Sequence, residues 1–339
     1  MSASDTDVPH PRATLSLHGH AEAEDALLAA YRGARMPHAW LIGGPRGVGK
    51  ATLAYRLARF VFAHPDPASA AVRTAASLEL PPDNTALRRV VAQGHSDLLA
   101  LERTEGDNGK LRTVIQVDDV RRTVGFFGST AGEGGWRICI VDSADELNAA
   151  GANALLKILE EPPARSLLLV ISHAPGRLLP TIRSRCRRLT LRPLEVPDVA
   201  RAAAEALGHD PAEPDVKAAA MASHGSVGGA LELIAGSALQ VRERVNAMLA
   251  ALPKVNPMDL HALGDALGRD EASFTAFVDT VRDWLSARLI AQAEPARLAG
   301  VAEAWDKLNR AARDTQTFNL ERKPMVFNVF GWLAEASRG

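Results

Sequence analysis

The sequence predicts an α/β domain built on a parallel sheet and followed by an all-α region. Three observations predict it. Through about residue 195, short and nearly continuous apolar runs alternate with segments long enough to hold helices, the pattern of strands covered on both faces. A glycine-rich turn lies between the first of these runs and a helical stripe. Beyond Pro193 and Pro197 the strand signals stop, and Ala-rich segments punctuated by Gly208, Gly225, Gly236 and Pro253 replace them.

The first dozen residues, with Pro9 and Pro11 among Ser, Asp and Thr, have no apolar period, so residues 1–14 are expected to be a disordered tail. Ala23, Leu27, Leu28 and Tyr31 then recur at helical spacing, and Met36-Pro37 closes that helix. Ala39 to Ile42 is the first strand, and Leu53, Leu57, Phe60 and Val61 mark the helix after the glycine turn. Residues 63–94, rich in Pro and Ala, are expected to be an irregular insert with one or two short helices. Further strands fall at Asp97–Leu101, Arg137–Val141 and Leu167–Ser172, and a fifth at Arg187–Leu191, where Arg188 and Thr190 alternate with Leu189 and Leu191. Asn148 is a capping residue for a helix reaching Glu160, which Pro162-Pro163 stops. Phe274, Phe277, Val278, Val281 and Leu285 lie on one helical face, and Val301, Trp305 and Leu308 repeat the pattern. Trp284, Trp305 and Trp332 are assigned to helix packing. The expected domains are 15–195 (α/β), 196–237 (a small helical lid) and 238–339 (a larger helical domain).

A chain of 339 residues has room for two or three domains. With 39 Lys and Arg against 40 Asp and Glu, its net charge of -1 offers no global field for nucleic acid or an acidic membrane. Any such contact must be local or shared with partners. Two cysteines, Cys139 and Cys186, are too few for a four-thiolate zinc site and fit a reducing cytoplasm. The polar, acidic N-terminus lacks an apolar signal segment, and no apolar run approaches the ~20 residues of a membrane span.

Gly44-Pro45-Arg46-Gly47-Val48-Gly49-Lys50 follows a strand and opens a helix, the setting of a phosphate-binding P-loop. Its backbone N–H groups and the helix N-terminus favour phosphate oxygens, and Lys50 reaches for the outer phosphates. The metal-ligating Ser or Thr that follows the lysine is replaced by Ala51; Thr52 comes one residue late, about 100° around the helix. A second nucleotide element is the strand Ile138-Cys139-Ile140-Val141 ending in Asp142, which suits orientation of magnesium through its water shell. Hydrolysing P-loop ATPases of this type usually carry Glu next as the water-polarising base; Ser143 stands there, and loss of a base costs about 10²- to 10⁴-fold in rate. Asp145 and Glu146 lie further on and are assigned to a helix start, with a substitute base as the alternative.

His38-Ala39-Trp40-Leu41, the P-loop, His95-Ser96-Asp97-Leu98, Asn153-Ala154-Leu155-Leu156-Lys157 running into Glu160-Glu161-Pro162-Pro163, and Ser184-Arg185-Cys186 occur in that order. Together with Asn319-Leu320-Glu321-Arg322-Lys323 they resemble the AAA+ subunits of bacterial clamp loaders over nearly the whole chain, most weakly at 63–94. The resemblance implies a subunit of a hetero-pentamer that supports ATP-driven loading of the sliding clamp on primed DNA in the cytoplasm, with the C-terminal helices in an oligomeric collar. It implies that Arg185 acts in trans as an arginine finger on the γ-phosphate held by a neighbour. Without that resemblance Arg185 is one of a basic run with Arg177, Arg183, Arg187, Arg188 and Arg192.

The departures from the pattern are as informative. Active relatives carry a sensor arginine in a Gly-Ser-x-Arg setting, whereas this chain has Gly225-Ser226-Val227-Gly228. Many relatives hold a four-cysteine zinc module after the first P-loop helix; residues 63–94 have no cysteine, and zinc is not expected. The expectation is a stator-like subunit with a degenerate site that binds ATP or ADP with Mg²⁺ weakly or not at all, requires no cofactor, and hydrolyses negligible ATP alone. The alternatives are a motor-type AAA+ ATPase, with Thr52 or Asp145 compensating, and a P-loop small-molecule kinase, which leaves Ser184-Arg185-Cys186 and the helical C-terminal third unexplained.

Overall fold

The computed structural model describes residues 8–33, 36–104, 112, 114–128, 132, 135–236, 238–268, 270–291, 295–318 and 320–337. The chain forms two compact units, Met1–Gly229 and Ala230–Gly339.

Unit one is built on five parallel strands, β1 (Ala39–Gly43), β2 (Leu98–Glu102), β3 (Arg137–Asp142), β4 (Ser166–Ser172) and β5 (Arg187–Thr190), in the order β2-β3-β4-β1-β5. The central position of β1 and β4 explains their composition, because every residue of both is buried. The edge position of β5 explains its alternation, with Arg187 and Arg188 exposed beyond the sheet. Helices α1 (Ala21–Arg32), α2 (Lys50–Ala63), α3 (Ala70–Thr74), α4 (Thr85–Val91), α5 (Val117–Gly128), α6 (Ala149–Glu160), α7 (Pro180–Arg185), α8 (Val196–Leu207) and α9 (Pro214–Ala222) complete it up to the start of α10 (Val227–Ala235). One core cluster joins Leu41, Cys139, Val141, Leu168 and Val170 of the sheet to Val120 and Phe127 of α5 and Leu155, Ile158 and Leu159 of α6. Cys139 is thus a small core residue.

The insert holds two short helices as expected, capped by the side chains of Ser69 and Asn84. Two boundaries differ. The tail expected at 1–14 is seated from residue 8 onward among the described residues: His10 Nε2 lies 3.1 Å from Glu102 Oε2, and Arg59 donates to the Thr14 carbonyl at 2.8 Å. The cause lies in α2, whose buried face carries Arg56 and Arg59. Their guanidinium groups need acceptors, and the carbonyls of Arg12, Thr14 and Leu15 supply them. Residues 1–7 lie outside the described set. The second difference is that α8 and α9, expected in a separate lid, belong to the first unit, where Leu194 N–H donates to Gly225 O at 3.0 Å.

Unit two comprises α11 (Ala238–Ala250), α12 (Pro257–Leu267), α13 (Glu271–Ala291), α14 (Pro295–Thr317) and α15 (Arg322–Ala336) among the described residues. Phe274, Phe277, Val278, Val281 and Leu285 are all buried, and so are Val301 and Leu308. Trp284 and Trp332 are only half-buried, each beneath a cation: Arg288 at 3.9 Å from the Trp284 ring and Lys307 at 5.9 Å from that of Trp332. Arg322 pairs with Glu271 at 2.7 Å, and Lys323 with Asp265 at 2.8 Å, so the motif containing them ties α15 to α12 and α13. Asn319 of that motif lies outside the described residues.

Candidate nucleotide site and interface arginine

The P-loop joins the buried strand β1 to α2, and its shape follows from glycine. Gly44 and Gly47 have φ of 146° and 74°; a Cβ on Gly44 would stand 2.3 Å from Leu191 O, and one on Gly47 would stand 2.3 Å from Ser226 Oγ. The second clash shows what covers the loop. Gly228 N–H donates to Gly47 O at 3.0 Å, and Ser226 Oγ donates to Arg46 O at 3.0 Å while accepting from Gly229 N. Ser226 and Gly228, in the stretch where active relatives carry a sensor arginine, therefore lie directly on the loop, and the absent side chain of Gly228 eases this: a Cβ on Gly228 would stand 3.1 Å from Gly47 Cα.

Lys50, at the start of α2, is buried and donates to the carbonyls of Gly44, at 2.8 Å, and Pro45. Burial lowers its pKa to about 8, against the pull of Asp142 and Asp145. Val48 is buried, and its carbonyl accepts from buried His20 at 2.7 Å if Nε2 carries the proton. Pro45 and Arg46 are exposed; Ala51 and Thr52 are half-buried on α2.

Asp142 ends β3 and stands in register with Glu102 at the end of β2. Burial, then the neighbouring Glu102 charge, raises the Asp142 pKa to about 6, with Lys50 opposing. Glu102 is itself held by Tyr55, whose hydroxyl donates at 3.0 Å, and by His10, whose hydrogen bond leads the lowering of its pKa. Asp145 does not lie free as a base. It accepts from Ser172 Oγ at 2.9 Å and from the backbone N–H groups of His173 and Ala174, and so fastens the turn 144–146 to the end of β4. Burial opposes the ionised form, but these hydrogen bonds hold its pKa below the usual carboxylate range. Glu146 pairs with Arg103 at 2.9 Å. Ser143 Oγ and His173 Nδ1 are buried without a hydrogen-bond partner among the described residues. No group of His, Cys, Asp and Glu among the described residues has the arrangement of a metal site.

Arg185 lies apart from this loop, on the last residue of α7. Buried Ile182 and Cys186 anchor that short helix, and the arginine is about one third exposed. Its Nη2 is 2.8 Å from Glu160 Oε1, and its Nη1 donates to Thr181 O at 3.1 Å. Arg187 stacks over Trp40 at 5.0 Å, and Arg177, Arg188 and Arg192 are exposed. The sequence reading missed Glu160 as a partner of Arg185, Glu102 as the neighbour of Asp142, and His173 at the end of β4. Only the parallel register, which brings the C-terminal ends of nonadjacent segments together, reveals the last two.

A P-loop on the second-last strand of a parallel sheet, with helices packed onto that loop, defines the class: a P-loop NTPase fold of the AAA+ type. The family profile described as DNA polymerase III, delta subunit, matches residues 19–195. The DNA polymerase III subunit delta' of Pseudomonas aeruginosa is 39% identical over 153 residues, 45% of this chain and 42% of that protein. The Escherichia coli subunit delta' is 32% identical over 248 residues, 73% of this chain and 69% of that protein. The chain belongs to the DNA polymerase III δ′ family. Among solved structures, a DNA polymerase III gamma subunit-related protein from Thermotoga maritima shares the fold, with a TM-score of 0.53 at 19% identity over 91% of this chain and 99% of that one. The match to the Pseudomonas relative thus spans less than half of that protein's length.

Proposed function

We propose that this chain is the stator-like subunit of a clamp loader. It stands in a hetero-pentamer, has a degenerate nucleotide site, and donates Arg185 to the γ-phosphate held by a neighbouring ATPase subunit. By this contribution it supports ATP-driven loading of the sliding clamp on primed DNA. Its C-terminal helices, within 238–339, form the collar. The observation that carries the reading is the state of the P-loop: Lys50 is turned onto the carbonyls of Gly44 and Pro45, and Ser226 and Gly228 are seated on Arg46 and Gly47. Nucleotide would have to displace both. Ala51 offers no hydroxyl to a metal, Ser143 offers no base, and pinned Asp145 does not replace one. These residues do not fit a hydrolytic Mg²⁺-nucleotide site, whereas Arg185 is exposed enough to meet a partner.

The test is DNA-stimulated ATP turnover of the reconstituted loader. Arg185→Ala is expected to lower it by about 10³-fold at the one site it serves, since trans-acting arginines contribute about 10³ to 10⁵. Lys50→Met is expected to leave it unchanged. Unchanged turnover with Arg185→Ala would remove the finger; turnover by the isolated chain that Lys50→Met abolishes would establish a motor-type ATPase instead.

A further inference from the structure

Glu160 is the last residue of α6, and Arg185 is the last of α7, two helices that pack against each other. A carboxylate at a helix C-terminus faces the partial negative charge of the final carbonyls, so α6 gains nothing from Glu160 itself. Its position is nevertheless well defined, because Pro162-Pro163 stops the helix there and Leu159, one residue before, is buried in the core. The partner is Arg185, with Nη2 at 2.8 Å from Oε1. On its other side the guanidinium is held by Thr181 O at 3.1 Å. The contact with Glu160 is an ion pair without hydrogen-bond alignment, so of the five N–H groups of the guanidinium only one is bonded, to Thr181, and the others face outward for another acceptor or water.

We propose that Glu160 is a positioning residue for Arg185. Its charge draws the guanidinium, already bonded to the Thr181 carbonyl, toward the end of α6 before a neighbouring subunit docks, so that the arginine meets an incoming phosphate having lost part of its rotamer freedom in advance. The proposal rests on the finger reading above. The Glu160 side chain is half exposed, and such pairs contribute little to folding. The effect belongs to orientation at the neighbour's site, not to the stability of this chain.

The reconstituted loader is assayed with the wild-type chain, Glu160→Ala, Glu160→Gln, Arg185→Ala and the double variant Glu160→Ala with Arg185→Ala. Glu160→Ala is expected to lower kcat by about 5-fold, since misplacement of a catalytic contact by a fraction of an ångström to an ångström costs up to about 10²-fold. KM for ATP and the assembly of the complex on gel filtration stay as in the wild type. Glu160→Gln, which keeps an acceptor, recovers part of the loss. In the Arg185→Ala background, Glu160→Ala has no further effect, the signature of two residues acting as a unit. No loss in the wild-type background, or an equal loss in the Arg185→Ala background, overturns the role of Glu160 and leaves the finger intact. A loader indifferent to Arg185→Ala overturns the finger, and the role of Glu160 falls with it.

Discussion

Asp142 carries a charge that its surroundings oppose. It is half-buried at the end of β3, Glu102 stands beside it, and Lys50, whose charge opposes the rise together with that of His10, is bonded to the P-loop carbonyls. Its folded pKa of about 6 lies above the unfolded value of 3.8. The cost of ionising it is therefore full above pH 6 and is relieved as pH falls through 6 toward 3.8. Asp142→Asn is expected to stabilise the chain by about 1–2 kcal/mol at pH 8, the advantage shrinking to nothing below pH 4; thermal melts across that range check it. An advantage that is flat with pH would show that Asp142 is not strained. The P-loop residues, Asp142 and Arg185 were all legible in the sequence because each sits in a motif with fixed spacing. The partners that tune them were not: Glu102 lies 40 positions from Asp142 and Glu160 lies 25 from Arg185, and only folding brings each pair together.

At the scale of elements, the start of α6 depends on one side chain. Asn148 Oδ1 accepts from Gly151 N–H at 2.8 Å, satisfying one of the donors that a helix N-terminus leaves open. Asn148→Ala is expected to cost about 1 kcal/mol, read as a lower denaturant midpoint with an unchanged slope. A neutral result would mean that packing of Leu155 and Leu159 alone holds the helix. Asn148 was readable because capping is local chemistry, and the inner strands β1, β3 and β4 were readable because parallel strands buried on both faces are nearly continuous apolar runs. The segment from His10 to Leu15 was not. It has no apolar period, and it is held by backbone carbonyls accepting from Arg56 and Arg59, a bond that any residue type in that segment supplies. Periodicity detects side chains that seek a core; it is blind to main chain that serves a buried cation.

For the whole molecule, the division at Gly229 and Ala230 gives each unit its own core, with Phe274, Phe277, Val281, Leu308, Val326 and Phe330 buried in the second. Residues 230–339 expressed alone are expected to give a helical circular dichroism spectrum and a single cooperative melt; a broad, featureless melt would show that this unit borrows stability from the first. The sheet order has a consequence for how the first unit comes into being. β1 is the first strand to be synthesised, yet its neighbours are β4 and β5, and Ala39 waits for Leu168. At about 5–20 residues per second, the roughly 130 residues between them take about 6 to 26 seconds to emerge. During that time an apolar strand destined for the middle of the sheet, together with the loop it carries, has no sheet to join. That wait ends only when Ser166–Ser172 arrives to pair with Ala39–Gly43.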